Sequence, residues 1–189
     1  WTREVLAGAE VPWGMGRERA RFELLHSPFL TDAPGSLRVL LVGHAGERRF
    51  FERPGIYTEP ATGAGYPDNA ERFLFFARAA LEGLKALGEP VDILHAHDQQ
   101  AAWVPCFVRT HEKRARIFRR TATVFTIHNL GYQGIHDPWG LGLAGFPGHL
   151  FHAASPFEFW GRVNYMKVGL AVADMISTVS PRYAEEIQK

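Results

Sequence analysis

Two polar clusters, each at the end of a mainly apolar run, carry the residues with chemistry to offer. Val91–Leu94 leads into His95, Ala96, His97 and Asp98, and Thr121–Ile127 leads into His128 and Asn129. If the runs are strands, alternation puts His95 and His97 on one face and Asp98 on the other. Open α/β sheets receive ligands just beyond the carboxyl ends of their strands, where both clusters fall. Two histidines so spaced are compatible with metal binding. The fuller His-x-His-x-Asp-His pattern, however, needs Asp and His where this chain has Gln99 and Gln100, so no metal is expected. Neutral histidine, asparagine, glutamine and tyrosine offer paired donors and acceptors without strong charge, an inventory suited to a polyhydroxylated ligand such as a carbohydrate. Tyr66, Tyr132 and Trp139 offer flat apolar faces for sugar rings.

The elements that must position these groups alternate. Residues 19–27 and 36–43 read as two strands around a turn at Asp32–Gly35, followed by a Pro/Gly-rich loop at 54–69. Asp68 or Asn69 then caps a helix to about Leu87, with Phe73, Phe76, Ala77, Ala80, Leu81 and Leu84 at helical spacing and Gly88 ending it. Phe73, Phe75 and Phe76 read as packing residues, not as a sugar platform. A strand over 91–96, a helix from about Gln99 to Thr110 and a strand over 121–128 follow. A helix over 159–173, a strand over 174–180 and a helix starting at Pro181 complete the series. Strands alternating with helices call for a Rossmann-like α/β fold, a parallel sheet with helices on both faces. The segment 129–161, rich in Gly, Pro and aromatics, has no clear period, and long connections of that kind are usually functional.

A chain of 189 residues fits one domain or a domain plus a piece of another. Its formal net charge of +1 gives no long-range field for nucleic acid or an anionic membrane. The basic stretch 109–120 reads as a solvated helix end, because no stacking platform accompanies it. The one cysteine, Cys106, lies among Trp103, Val104, Phe107 and Val108 and reads as a buried, inert thiol in a reducing compartment. No apolar run reaches bilayer length and no signal-peptide pattern appears, so a cytoplasmic location is expected.

Four stretches carry a family resemblance: YPDNAERFLFF (66–76), HAHDQQAAWVP (95–105), TVFTIHNLGYQG (123–134) and GRVNYMKVGLAVADMISTVSPRYAEEIQ (161–188). In this order, over roughly residues 54–189, they resemble bacterial glycogen synthase and plant starch synthase. The resemblance implies a two-domain GT-B glycosyltransferase with catalysis between two Rossmann-like halves. It makes residues 1–189 a partial amino-terminal, acceptor-side domain, with the carboxy-terminal nucleotide-sugar half absent. The implied reaction moves glucose, with retention, from ADP-glucose or UDP-glucose to the non-reducing end of an α-1,4-glucan. No cofactor and no bound metal are implied, and the location is bacterial cytoplasm, or plastid for a plant enzyme.

By the same resemblance His97 assists the reaction beside the donor glucose. Tyr66, Asp68, Asn69, Asp98, His128, Asn129, Tyr132, Gln133 and Gly134 are the implied substrate-binding residues. Read as residues, Asp98 suits helix capping, and His128 and Asn129 divide between ligand contact and holding the loop backbone. Gly131 and Gly134 serve turns, and Lys167 reaches from a helix to solvent. Two features depart from the family pattern: Gln99 and Gln100 replace the usual Trp and His, and no Lys-x-Gly-Gly phosphate loop is present. Little or no catalysis is therefore expected from this chain alone. The alternatives are a non-catalytic carbohydrate-binding domain and another GT-B transferase, such as a sucrose-synthase-like enzyme with a different acceptor.

Overall fold

The computed structural model describes residues 1–28 and 37–189. The chain opens with an antiparallel sheet of β1 (Thr2–Trp13), β2 (Gly16–His26) and β3 (Arg38–His44). The second and third strands match the sequence expectation, while the Asp32–Gly35 turn lies outside the described residues. β1 was not expected, because a register shift between Leu6 and Ala9 breaks its alternation. Gly8 sits at this irregularity, where a Cβ would lie 2.7 Å from the Ala20 carbonyl oxygen.

Helix α1 (Asn69–Leu87) runs between this sheet and the rest of the molecule. Gly88 ends it in the left-handed conformation, its N–H reaching the carbonyls of Leu84 and Lys85. The N-terminal cap expected of Asp68 is not made, since that carboxylate is engaged by Arg53 at 2.6 Å. Phe75, fully buried on α1, meets Trp13, His44, Phe50 and Phe51, with ring centroids 4.9–6.1 Å apart. This aromatic knot joins the hairpin sheet to the helix.

The site-bearing sheet is parallel, in the order β4 (Ile93–His97), β5 (Ala122–Ile127) and a later strand over Met175–Thr178. The expected helix from Gln99 to Thr110 divides into α2 (Asp98–Ala101) and α3 (Trp103–Arg109). Pro105 has no N–H to give the Ala101 carbonyl, so one continuous helix loses a bond at that point. Segment 129–161 folds into short pieces: β6 (Ile135–His136), α4 (Gly140–Leu143) and β7 (Glu158–Phe159). β8 (Arg162–Asn164) pairs with both β6 and β7.

The helix expected over 159–173 therefore begins only at α5 (Tyr165–Val172). Trp160 and Gly161, at φ 52° and 78°, form the tip of the β7–β8 hairpin, a conformation no helix contains. Asn164 caps α5, its side-chain oxygen accepting from the Lys167 N–H at 3.0 Å. Lys167 turns back to donate to the Glu158 carbonyl at 2.5 Å instead of reaching solvent. β9 is the Met175–Thr178 strand, and α6 (Pro181–Glu186) follows it. Ser180 caps α6 and Pro181 occupies its first turn, where a missing N–H costs little.

The parallel sheet with its helices gives the expected α/β class. One face, bearing Ala96 and Phe125, is buried, and Gly169 of α5 lies against the Phe125 ring. The opposite face is open among the described residues, with Ile93 and Met175 about 63% and 62% exposed.

Candidate active site

Both polar clusters arrive at the carboxyl end of the parallel sheet because β4 and β5 are in parallel register, His97 beside Thr126. Their rings meet there. His97 Nδ1 lies 3.0 Å from His128 Nε2, and the two rings are 5.2 Å apart at their centroids. One nitrogen of this bond donates and the other accepts, so at least one ring is neutral. Desolvation first, then the neighbouring His95 and His128, holds His97 below the ordinary imidazole range. With Nδ1 engaged, Nε2 is the nitrogen of His97 that has no hydrogen-bond partner among the described residues.

Asp98 adopts φ 54°, a left-handed conformation uncommon for a residue with a side chain. It does not cap α2 as expected. Its carboxylate accepts the backbone N–H of His128 at 2.8 Å and so ties the end of β4 to the end of β5. That bond helps hold both imidazoles in one place despite a backbone strain of about 1–3 kcal/mol.

Directly after the two histidines, Asp98 and Asn129 line a cavity of about 640 Å³. Tyr57, Thr58, Gly65, Asn69 and Phe73 form one wall, from the 54–69 loop and the start of α1. Gln99, Gln100, Tyr132 and His136 supply the other wall. The loop wall is braced by an isolated bridge between Thr58 and Gly65 and by Asn69 Nδ2 donating to the Tyr57 carbonyl at 2.9 Å. Three polar atoms here are buried and find no partner among the described residues: Asn69 Oδ1, Gln99 Oε1 and His136 Nε2. Such atoms cost free energy unless water or a ligand pairs with them. Burial pushes His136 down to about 4, so its ring is neutral near pH 7.

The implied binding residues divide by position. Asn69, Asp98, Asn129 and Tyr132 line the cavity, and Tyr132 is about 72% exposed, its ring available to a ligand. His97 and His128 do not line it, but each directly precedes a residue that does, Asp98 and Asn129. Tyr66 does not line the cavity, and its ring packs against the guanidinium groups of Arg53 and Arg72, 4.8 and 5.4 Å from the ring centroid. Gln133 accepts from Asn164 Nδ2 at 2.7 Å and braces the loop. Asn129 does both jobs, since its side-chain oxygen also accepts from the Gly131 N–H. Gly134, at φ 67°, makes room for Gln99: a Cβ there would stand 2.3 Å from Gln99 Oε1.

Phe73 is core and cavity wall at once, and Trp139 is exposed but outside the cavity. Tyr57, Thr58 and His136 were not singled out as site residues. Their signal was indirect, in that all three sit in the two Gly/Pro-rich loops. Cys106 is buried as expected, and burial pushes its thiol up to about 12. Among the described residues no group of three or more His, Cys, Asp or Glu side chains is placed to hold a metal, and no helix is long and apolar enough to cross a membrane.

The starch synthase catalytic domain pattern matches residues 4–189. This chain belongs to that family. Glycogen synthases of Pseudothermotoga lettingae and Thermodesulfovibrio yellowstonii are 49% and 47% identical over 122 and 139 residues. Those alignments cover 65% and 73% of this chain but 25% and 27% of the relatives. Glycogen synthase 2 of Geobacter sulfurreducens is 41% identical over 163 residues, 86% of this chain and 32% of its own length. Among solved structures, the catalytic domain of starch synthase IV from Arabidopsis thaliana, bound to ADP and acarbose, matches with a TM-score of 0.80 and 25% identity. That match covers 99% of this chain and 36% of the other. The chain thus spans between a quarter and about a third of the length of these family members.

Proposed function

We propose that this chain forms the acceptor side of an α-glucan synthase of the GT-B type. The reaction is transfer of glucose from ADP-glucose, with UDP-glucose as the second candidate donor, to the non-reducing end of an α-1,4-glucan. The observation that carries this reading is the cavity beside the paired imidazoles. Its polar lining side chains, Asn69, Asp98, Gln100 and Asn129, match the hydroxyl groups of a sugar, and the rings of Tyr57 and Tyr132 supply apolar faces. No strong charge is needed to bind a neutral glucan.

In this reading Asn69, Asp98, Asn129 and Tyr132 bind the acceptor, and His97 Nε2 faces the transferred glucose, where it hydrogen-bonds as charge shifts in the transition state. His128 fixes the free nitrogen of His97. Tyr66, Asp68, Gln133 and Gly134 shape the two loops behind those contacts. Residues 1–189 are then a partial amino-terminal domain. The nucleotide is held by a carboxy-terminal half, so the 189-residue chain alone transfers little or nothing. The reading also puts the protein in the cytoplasm.

The test is transfer of labelled glucose from each nucleotide sugar to glycogen, by the 189-residue chain and by the protein at its natural length. Transfer by the natural-length protein alone, with ADP-glucose the better donor, is the expected result. No transfer from either donor by either protein overturns the reading and leaves a carbohydrate-binding domain.

A further inference from the structure

The open face of the parallel sheet carries a line of side chains that the reading above does not use. Ser177 Oγ on β9 lies 2.6 Å from Thr126 Oγ1 on β5, and Thr126 Oγ1 lies 2.6 Å from His95 Nε2 on β4. The His95 ring in turn faces that of His97, with centroids 4.2 Å apart and planes 33° from parallel. The line crosses all three strands and ends at the imidazole beside the cavity.

Each link restricts the next. Thr126 is buried on the central strand, and its β-branch stiffens the side chain about χ1. It has one hydroxyl proton and two short contacts, so it donates along at most one and accepts along the other or both. His95 is exposed, and this bond is the contact that stops its ring from turning. His97 is exposed as well, and its one side-chain hydrogen bond among the described residues, to His128, leaves the ring free to tilt about that contact. The His95 ring packed against it, 4.2 Å away at the centroids, limits the tilt.

We propose that His95, locked by Thr126 and Ser177, is a positioning residue that sets the ring plane of His97 and so the direction in which His97 Nε2 points. The inference rests on His97 acting in glucosyl transfer. His95 is one turn of the pleat behind His97 and the strand end, so in this arrangement it acts through His97.

The experiment is a double-mutant cycle in the natural-length protein, with kcat and the KM for glycogen measured separately. The variants are His95→Ala, His95→Phe, Thr126→Val and His97→Ala, and the cycle pairs His95→Ala with His97→Ala. Misplacing a reacting group by a fraction of an ångström to 1 Å lowers kcat by roughly 10- to 100-fold, which is the loss expected for His95→Ala with the glycogen KM unchanged. His95→Phe keeps a flat ring against His97 but loses the bond to Thr126, so it is expected to recover part of the loss, to about the level of Thr126→Val. In the His97→Ala background, removing His95 is expected to change nothing further, because His95 acts only through His97.

A structural role alone would not give this rescue or this non-additivity. If His97→Ala abolishes transfer while His95→Ala keeps the parent kcat, the positioning role is wrong and the transfer reading stands. Losses that multiply in the double variant also overturn the positioning role. If His97→Ala transfers as well as the parent, the reading of His97 itself fails.

Discussion

His136 is the residue whose protonation the fold opposes most plainly. Burial holds it down to about 4, whereas in the unfolded chain it titrates near 6.5. As pH falls, the unfolded state takes up the proton first. The stability this residue supports is therefore complete above about pH 6.5 and is lost progressively as pH falls toward about 4, a difference on the order of 3 kcal/mol. His97 and His111 are shifted in the same direction by burial and add to the trend. Urea unfolding of the parent at pH 7 and pH 5 should show a clear drop in stability, and His136→Gln should show a smaller one. Equal drops would mean that His136 is not the group responsible. At this scale the sequence was informative about residue types and silent about meetings. The two histidine clusters are visible at the ends of apolar runs, but the 3.0 Å contact between His97 and His128 depends on strand register. His136 sits in a segment without a period, so nothing local distinguished it.

Helix α5 decides how the site loop is held, and two of its residues test that. Gly169 lies where a Cβ would stand 2.9–3.1 Å from three atoms of the buried Phe125 ring. Alanine is worth about 1 kcal/mol more than glycine in a helix interior, but overpacking a closed contact costs about 1–3 kcal/mol. Phe125 is fully buried on the central strand and has nowhere to move, so the contact wins. Gly169→Ala should lower stability by about 1–2 kcal/mol in a denaturant titration, and a stabilised variant would show that α5 packs more loosely than described. Asn164, also buried, both caps α5 and donates to Gln133. Asn164→Ala should cost about 2 kcal/mol, and Asn164→Asp, which keeps the cap and loses the amide donor, should cost less. Equal losses from the two variants would remove the cap from the explanation. The apolar pattern over 159–173 looked helical throughout because its first residues, Phe159 and Val163, are apolar for a different reason. They belong to β7 and β8, and the left-handed Trp160–Gly161 tip between them leaves no mark on hydrophobic spacing.

Across the whole molecule, one continuous apolar core joins the hairpin sheet, α1, α3 and the parallel sheet. The wall of the cavity made by the 54–69 loop is therefore positioned by the hairpin sheet through α1, not by the parallel sheet alone. Phe75 is the joint. Phe75→Ala should cost about 3–5 kcal/mol, as for other large-to-small changes in closed cores, with thermal unfolding as the readout. A loss under about 1 kcal/mol would indicate that the two halves are packed independently. The alternating strands and helices after residue 90 made the α/β class legible, and their polar strand ends pointed to the site. What stayed hidden was the far wall, because Tyr57 and Thr58 reach the cavity through a loop braced by tertiary bonds, with no periodic signal of its own.

The division of labour between cavity and imidazoles is the central claim, and steady-state kinetics on two variants of the natural-length protein tests it most directly. His97→Ala should lower kcat for transfer to glycogen by about 100-fold or more and leave the glycogen KM close to that of the parent. Tyr132→Ala, which removes an exposed cavity-lining ring, should raise the KM several-fold and leave kcat nearly unchanged. The opposite pattern, or unchanged kinetics in both variants, would contradict the placement of acceptor binding in this cavity and of chemistry at the paired histidines.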